Sequence, residues 1–120
     1  MSTSDRFAGK VAVITGGTTG IGRAIARRFV SDGGKIVIGA RHDTLFEEIT
    51  QELGADNCWC QVCDVTNRAQ VDALVQAAYD KFNGFDVMFG NAGINLFKDF
   101  LNFNFQNTSE TLAVFIRQFR

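Results

Sequence analysis

Residues 15–22 read Thr15-Gly16-Gly17-Thr18-Thr19-Gly20-Ile21-Gly22 and follow a short apolar run, Lys10-Val11-Ala12-Val13-Ile14. A strand that runs into a glycine-rich turn and then a helix is a device for holding a phosphate. Glycine reaches positive φ and lets backbone N–H groups approach an anion, and the helix start adds partial positive charge. Gly16, Gly20 and Gly22 give G-x-x-x-G-x-G, a different spacing from the common G-x-G-x-x-G. The plain alternative is a tight turn that collects glycine. A nucleoside-triphosphatase loop is excluded, because no Gly-Lys-Ser/Thr follows the glycines.

The cysteines form a second candidate cluster, Cys58-Trp59-Cys60-Gln61-Val62-Cys63. A metal site would need a fourth ligand, and the only histidine, His42, lies well upstream. An odd count fits a disulfide framework badly. The expectation is a strand that uses cysteine as a small hydrophobe, with no metal bound.

These residues need elements to position them. Ile21, Ala24, Ile25, Arg28 and Phe29 recur at helical spacing, and Gly33-Gly34 stop that helix. Lys35 to Gly39 is a strand apolar enough to be covered on both faces. Asp43 or Thr44 is placed to cap a helix striped by Phe46, Ile49 and Leu53, with Glu47 completing a capping box and Gly54 closing it. Cys58 to Val62 is a third strand. Asn67 caps a helix whose face holds Val71, Leu74, Val75, Ala78 and Phe82, ended by Asn83-Gly84. Phe85 to Phe89 is a fourth strand. Strict alternation of strands and helices implies right-handed crossovers and a parallel sheet, hence an α/β fold.

Residues 96–120 change character. They hold Phe97, Phe100, Phe103, Phe105, Phe115 and Phe119, half of the 12 phenylalanines. A helix is expected from Thr108, with Leu112, Phe115, Ile116 and Phe119 on one side. The chain of 120 residues therefore divides into an α/β part, residues 1–95, and a Phe-rich tail, residues 96–120, read as a divergent fourth helix of the same domain.

The bulk numbers are those of an ordinary globular domain: 46% hydrophobic and 21% charged residues, net charge −1 and a pI near 5.7. That balance argues against nucleic acid or an anionic membrane as the main partner. No apolar run approaches the ~20 residues of a membrane helix, and residues 1–9 lack a signal-peptide core, so the expected address is the cytoplasm.

Four pieces in order resemble the short-chain dehydrogenase/reductase family over residues 7–95. They are the opening Phe7-x-Gly9-Lys10-Val11-Ala12-Val13-Ile14-Thr15, the loop Thr15-Gly16-x-x-x-Gly20-Ile21-Gly22, the segment Cys63-Asp64-Val65-Thr66, and Asn91-Ala92-Gly93 after the fourth strand. Gly90 stands where the family often has a further asparagine. The resemblance implies a three-layer, Rossmann-type parallel sheet, truncated here after about four strands, and a bound nicotinamide dinucleotide. It implies cofactor contacts from Gly16, Thr18, Thr19, Gly20, Ile21, Gly22, Arg41, Asp64, Val65, Asn91, Ala92 and Gly93.

Each of these has its own chemistry. Asp64 can accept a hydrogen bond from an adenine amino group, or serve only as a helix N-terminal acid. Asn91 can tie strands together or line the ribose, though Asn-Ala-Gly alone is simply a loop. NAD-binding folds tend to place an acid on the ribose 2′-hydroxyl about 20 residues past the glycines. Ala40 stands there, followed by Arg41, so NADP(H) is expected over NAD(H), unless Arg41 is merely a solvated charge.

The family's reaction is hydride transfer between the nicotinamide and a carbonyl or alcohol. It uses a tyrosine whose pKa is lowered by a lysine four residues on, because a phenol of pKa ~10 is useless near neutrality alone. Here the single tyrosine, Tyr79, is followed at that spacing by Asn83. In the family's fourth-helix motif Phe115 would occupy the asparagine position, and no catalytic residue carries over. The expectation is therefore a cofactor-binding portion of an oxidoreductase, inactive alone. The alternative is an interaction or regulatory protein derived from the fold. A fourth strand left at the sheet edge invites self-association there or through the tail, or else is covered by the tail itself.

Overall fold

Alternation of apolar strands with amphipathic segments dictates a sheet covered on both faces, and the computed structural model has that form. It describes residues 5–16, 18 and 20–90, with only the backbone at Ile21 and at 113–116. The elements are β1 (Val11–Thr15), α1 (Gly20–Ser31), β2 (Lys35–Ala40), α2 (Phe46–Leu53), β3 (Cys58–Val62), α3 (Arg68–Phe82), β4 (Val87–Gly90) and β5 (Ala113–Ile116). The strand order is β3-β2-β1-β4-β5. β1 to β4 are mutually parallel, and β5 runs antiparallel to β4.

Side-chain alternation along the strands divides the core into two layers. Val11, Val13, Val37, Met88 and Phe85 meet Val71, Leu74, Ala77 and Ala78 of α3. Ala12, Ile14, Ile36, Ile38 and Cys58 meet Ala26 and Phe29 of α1 and Ile49 and Leu53 of α2. All the β1 residues are buried, as a central parallel strand requires.

The ends of α3 follow local chemistry. Asn67 Oδ1 accepts from Gln70 N at 3.2 Å, and Asn83 closes the helix in the left-handed region at φ 70°. Asp86 ties β4 back to the sheet: its Oδ2 accepts from Val11 N at 2.9 Å, while its own N–H donates to Val11 O at 2.8 Å. Asp86→Ala would leave the buried Val11 N–H without that acceptor. We expect a loss of about 1–3 kcal/mol in a urea melt, with Asp86→Asn recovering part of it.

Three local expectations are corrected. The buried face of α1 runs through Gly22, Ala26 and Phe29, while Ala24 and Arg28 are exposed. Gly22 and Ala26 join Ile25 and Phe29 in that packing, in place of Ala24 and Arg28. The capping box of α2 does not form: its N-cap is Leu45, with no side-chain cap, and the turn is closed by Phe46 N donating to Asp43 O at 3.1 Å.

The third correction concerns the tail. Residues 113–116 form a strand, pairing Val87 with Ile116 and Gly90 with Ala113, where a helix was expected. The outer edge of β4 presents a row of unpaired backbone groups, and the run Ala-Val-Phe-Ile has strand-forming residues to satisfy them. That edge is thus covered by the chain itself, as one of the two alternatives required. The rest of residues 96–120 lies outside the described residues.

Candidate functional site

Three strands deliver their carboxyl ends to one place. A cleft of about 630 Å³ opens there, lined by Thr15, Gly16 and Thr18 after β1, Gly39 to His42 with Thr44 and Leu45 after β2, and Cys63 to Thr66 after β3. Its size lies within the ~300–1,000 Å³ typical of ligand sites. It also lies beside the point where the strand order reverses, since β2 leaves β1 on one side and β4 on the other. Open α/β sheets bind their ligands there.

The backbone builds this cleft before any side chain acts. Gly16 sits at φ 72° and donates its N–H to Gly39 O at 2.8 Å, which fastens the loop to β2. Gly20 begins α1 at φ 57°, with open space around a Cβ position. α1 carries no acidic residue in its first turn, so its positive end is not neutralised from within. Gly39 lines the cleft because α3 crosses close behind it: a Cβ there would meet Leu74 Cδ2 at 2.7 Å and Cys63 Cβ at 3.1 Å. Cys63 N donates to Ala40 O at 2.8 Å, which holds the β3 exit against β2.

Asp64 is oriented by its neighbours. Its Oδ1 accepts from Thr66 N at 2.9 Å and from Thr66 Oγ1 at 2.7 Å, and its backbone N–H donates to Gln70 Oε1 at 2.7 Å. The hydroxyl and N–H of Thr66 hold the carboxyl below its usual range, with the Arg41 charge a smaller contribution in the same direction. Oδ2 takes no hydrogen bond among the described residues. The N-cap of α3 is Asn67, three residues after Asp64. Arg41 is exposed and forms no ion pair among the described residues.

The cleft thus gathers Gly16, Thr18, Arg41, Asp64 and Val65 from the sequence-predicted set. Gly20 and Gly22 lie in the first turn of α1. Thr19, the Ile21 side chain, and Asn91, Ala92 and Gly93 lie outside the described residues. Sequence reasoning missed His42, Thr44 and Leu45 as lining residues. Thr44 had been read as a helix cap, and His42 only as a rejected metal ligand. The signal that could have found them is position: the whole β2–α2 connection sits at the carboxyl end of a parallel strand. Among the described residues, no three His, Cys, Asp or Glu side chains converge as a metal site would require. None of the described helices is long and apolar enough to cross a membrane.

Residues 10–117 match the family profile of the short chain dehydrogenases. Momilactone A synthase from Oryza sativa subsp. japonica is 46% identical over 90 residues, covering 75% of this chain and 33% of that protein. Short-chain dehydrogenase reductase 3a from Arabidopsis thaliana is 36% identical over 113 residues, covering 93% of this chain and 44% of the relative. Among solved structures, a 3-ketoacyl-(acyl-carrier-protein) reductase from Brucella melitensis complexed with NADH superposes with a TM-score of 0.65. It is 39% identical, over 68% of this chain and 34% of that one. A short chain dehydrogenase from Mycobacterium smegmatis gives a TM-score of 0.66 at 33% identity, over 73% and 38%. The chain spans between a third and a half of the length of these relatives. A glycine loop, a Rossmann-type sheet and a profile match along nearly its whole length place this chain in the short-chain dehydrogenase family.

Proposed function

We propose that this chain is the dinucleotide-binding portion of a short-chain oxidoreductase and that it binds NADP(H) in preference to NAD(H). The observation that carries this reading is the convergence of Gly16, Thr18, Arg41 and Asp64 on one cleft, with α1 beginning at Gly20 directly after that loop. Gly16 and the start of α1 would hold the pyrophosphate, with backbone donors and a positive helix end. Asp64 Oδ2 and the Val65 backbone would face the adenine. Arg41 and the absence of a carboxylate at Ala40 favour a 2′-phosphate over a 2′-hydroxyl. Thr19, Ile21, Gly22 and Asn91-Ala92-Gly93 belong to the same proposed site. The NADH-bound relative supports a dinucleotide in this fold.

Such a cofactor supplies a hydride when bound. What this chain contributes is the cradle: it binds and orients, while no Tyr-x-x-x-Lys stands in its 120 residues. We therefore assign it binding without turnover. Self-association through the sheet edge or the Phe-rich tail is part of the same proposal, with the β4 edge itself paired to β5.

The test is titration of the full chain with NADPH and NADH, read by cofactor fluorescence and thermal shift. NADPH should bind more tightly. Arg41→Ala should weaken NADPH about tenfold or more, the scale of a charge-assisted hydrogen bond, and leave NADH within about twofold. No shift in melting temperature with either dinucleotide at millimolar concentration would refute the binding, and measurable turnover would refute the assignment of binding alone.

A further inference from the structure

β3 carries two cysteines on one face, pointing away from the cleft described above. Cys58 and Cys60 are two residues apart, so both project toward α2, and their Sγ atoms lie 3.7 Å apart. Cys58 is buried among Ile36, Ile38, Ile49 and Leu53. Cys60 is half-buried. It lines a separate cleft of about 360 Å³ whose walls are Phe46, Glu47, Thr50 and Gln51 of α2, with Ala55 and Trp59. Thr50 Oγ1 stands 3.7 Å from Cys60 Sγ, the other polar neighbour of that sulfur. An accessible thiol backed by a buried thiol and a hydroxyl is the arrangement of a peroxide-reactive cysteine with a resolving partner.

We propose that Cys60 and Cys58 form a reversible thiol–disulfide pair, oxidised by small hydroperoxides that enter the α2–β3 cleft. The Cys60 thiolate attacks the O–O bond of hydrogen peroxide. An S–O bond forms, the O–O bond breaks, and hydroxide leaves, giving Cys60 sulfenic acid. The Cys58 sulfur then attacks the Cys60 sulfur. An S–S bond forms and the S–O bond breaks. The Cys58 proton leaves with the hydroxyl as water. Two electrons pass from the thiol pair to the peroxide.

The order of events follows from the surroundings. Hydrogen bonding from Cys58 and from Thr50 brings the Cys60 thiol down to about 7, while the same contact and burial push Cys58 up. Among the described residues, Glu47 is the one charged side chain lining that cleft. Cys63 takes no part: it packs on the opposite face of the sheet, against Leu74, and burial raises it to about 11. Two strand residues span about 6.6 Å between Cα atoms, within but near the upper end of the roughly 4.4–6.8 Å that a disulfide bridges. β3 is the outer strand of the described sheet, so closing the bridge would disturb one ladder of backbone hydrogen bonds, that to β2, and no second one.

The experiment exposes the reduced full chain to hydrogen peroxide and maps thiols by peptide mass spectrometry, with Trp59 fluorescence as a parallel signal. Trp59 is the only tryptophan and lies between the two cysteines. The expected product has lost two hydrogens, carries a Cys58–Cys60 bond and a free Cys63, and reverts with dithiothreitol. Cys58→Ser should divert it to a sulfenic acid trapped on Cys60 by dimedone, without the fluorescence change. In the unsubstituted chain, alkylation at neutral pH should be at least about tenfold faster at Cys60 than at Cys63. That measurement stands whether or not the serine variant folds. Equal alkylation rates, or oxidation that joins Cys60 of two chains and leaves Cys58 free, would overturn the proposal.

Discussion

Leu74→Ala is expected to lower the free energy of unfolding by about 2–5 kcal/mol, read from a urea melt followed by far-UV circular dichroism. Leu74 is fully buried between α3 and the sheet, directly behind Gly39 of the candidate cleft. The loss combines transfer of the side chain to water with the cavity left behind. A stability of 5–15 kcal/mol is typical of a domain, so this one change could remove a large share of it. The sharper form of the prediction uses Gly39. Its added Cβ would meet Leu74 Cδ2 at 2.7 Å and Cys63 Cβ at 3.1 Å, so Gly39→Ala alone should cost about 1–3 kcal/mol. In the Leu74→Ala background the new methyl has space, and the two costs should fall short of their sum by about 0.5–3 kcal/mol. Strict additivity would mean that the two residues do not share that contact in solution.

Gly16→Val is expected to weaken dinucleotide binding by about a hundredfold, equivalent to roughly 2.7 kcal/mol. Gly16 sits at φ 72°, where a β-branched residue is strongly strained, and it lines the cleft where the phosphates would approach. Strain alone could also destabilise the fold, so a control is needed. Gly33 has an equally unfavourable φ of 97°, beyond the other end of α1, with Ala8 within 3.3 Å of a Cβ position. Gly33→Ala should lower the melting temperature and leave dinucleotide affinity unchanged. If both substitutions lower affinity alike, the loop has no special role in binding. Titration calorimetry with NADPH decides between them.

Much of this architecture was legible before any coordinates. Alternating strand and helix signals located every element from β1 to β4 within a few residues, because side-chain periodicity reports which faces must be buried. Asn67 and Asn83 were readable as helix ends, since their roles depend on backbone geometry within a few residues. The alignment of α1 was only partly readable. Ile25 and Phe29 pack as their spacing implied, but Gly22 and Ala26, whose small size lets the helix approach the sheet, are invisible to a search for large apolar residues. Likewise Thr44 had the chemistry of a cap and the position of a cleft residue, and only the path of the chain chose between them.

What the sequence by itself determined is therefore what short-range physics controls: strand and helix identity, the glycines that need positive φ, and the order of elements that makes the sheet parallel. What only the tertiary structure decided depends on residues far apart in the chain. The antiparallel β5 exists because an open β4 edge has backbone groups to satisfy, and no local signal at 113–116 announces that partner. The cleft exists because Gly16, Arg41 and Asp64, separated by more than twenty residues at each step, leave three adjacent strands at the same end of one sheet. The Cys58–Cys60 pair becomes distinctive only through Thr50 of α2 packing over β3, since adjacency in sequence says nothing of a hydroxyl arriving from the neighbouring helix.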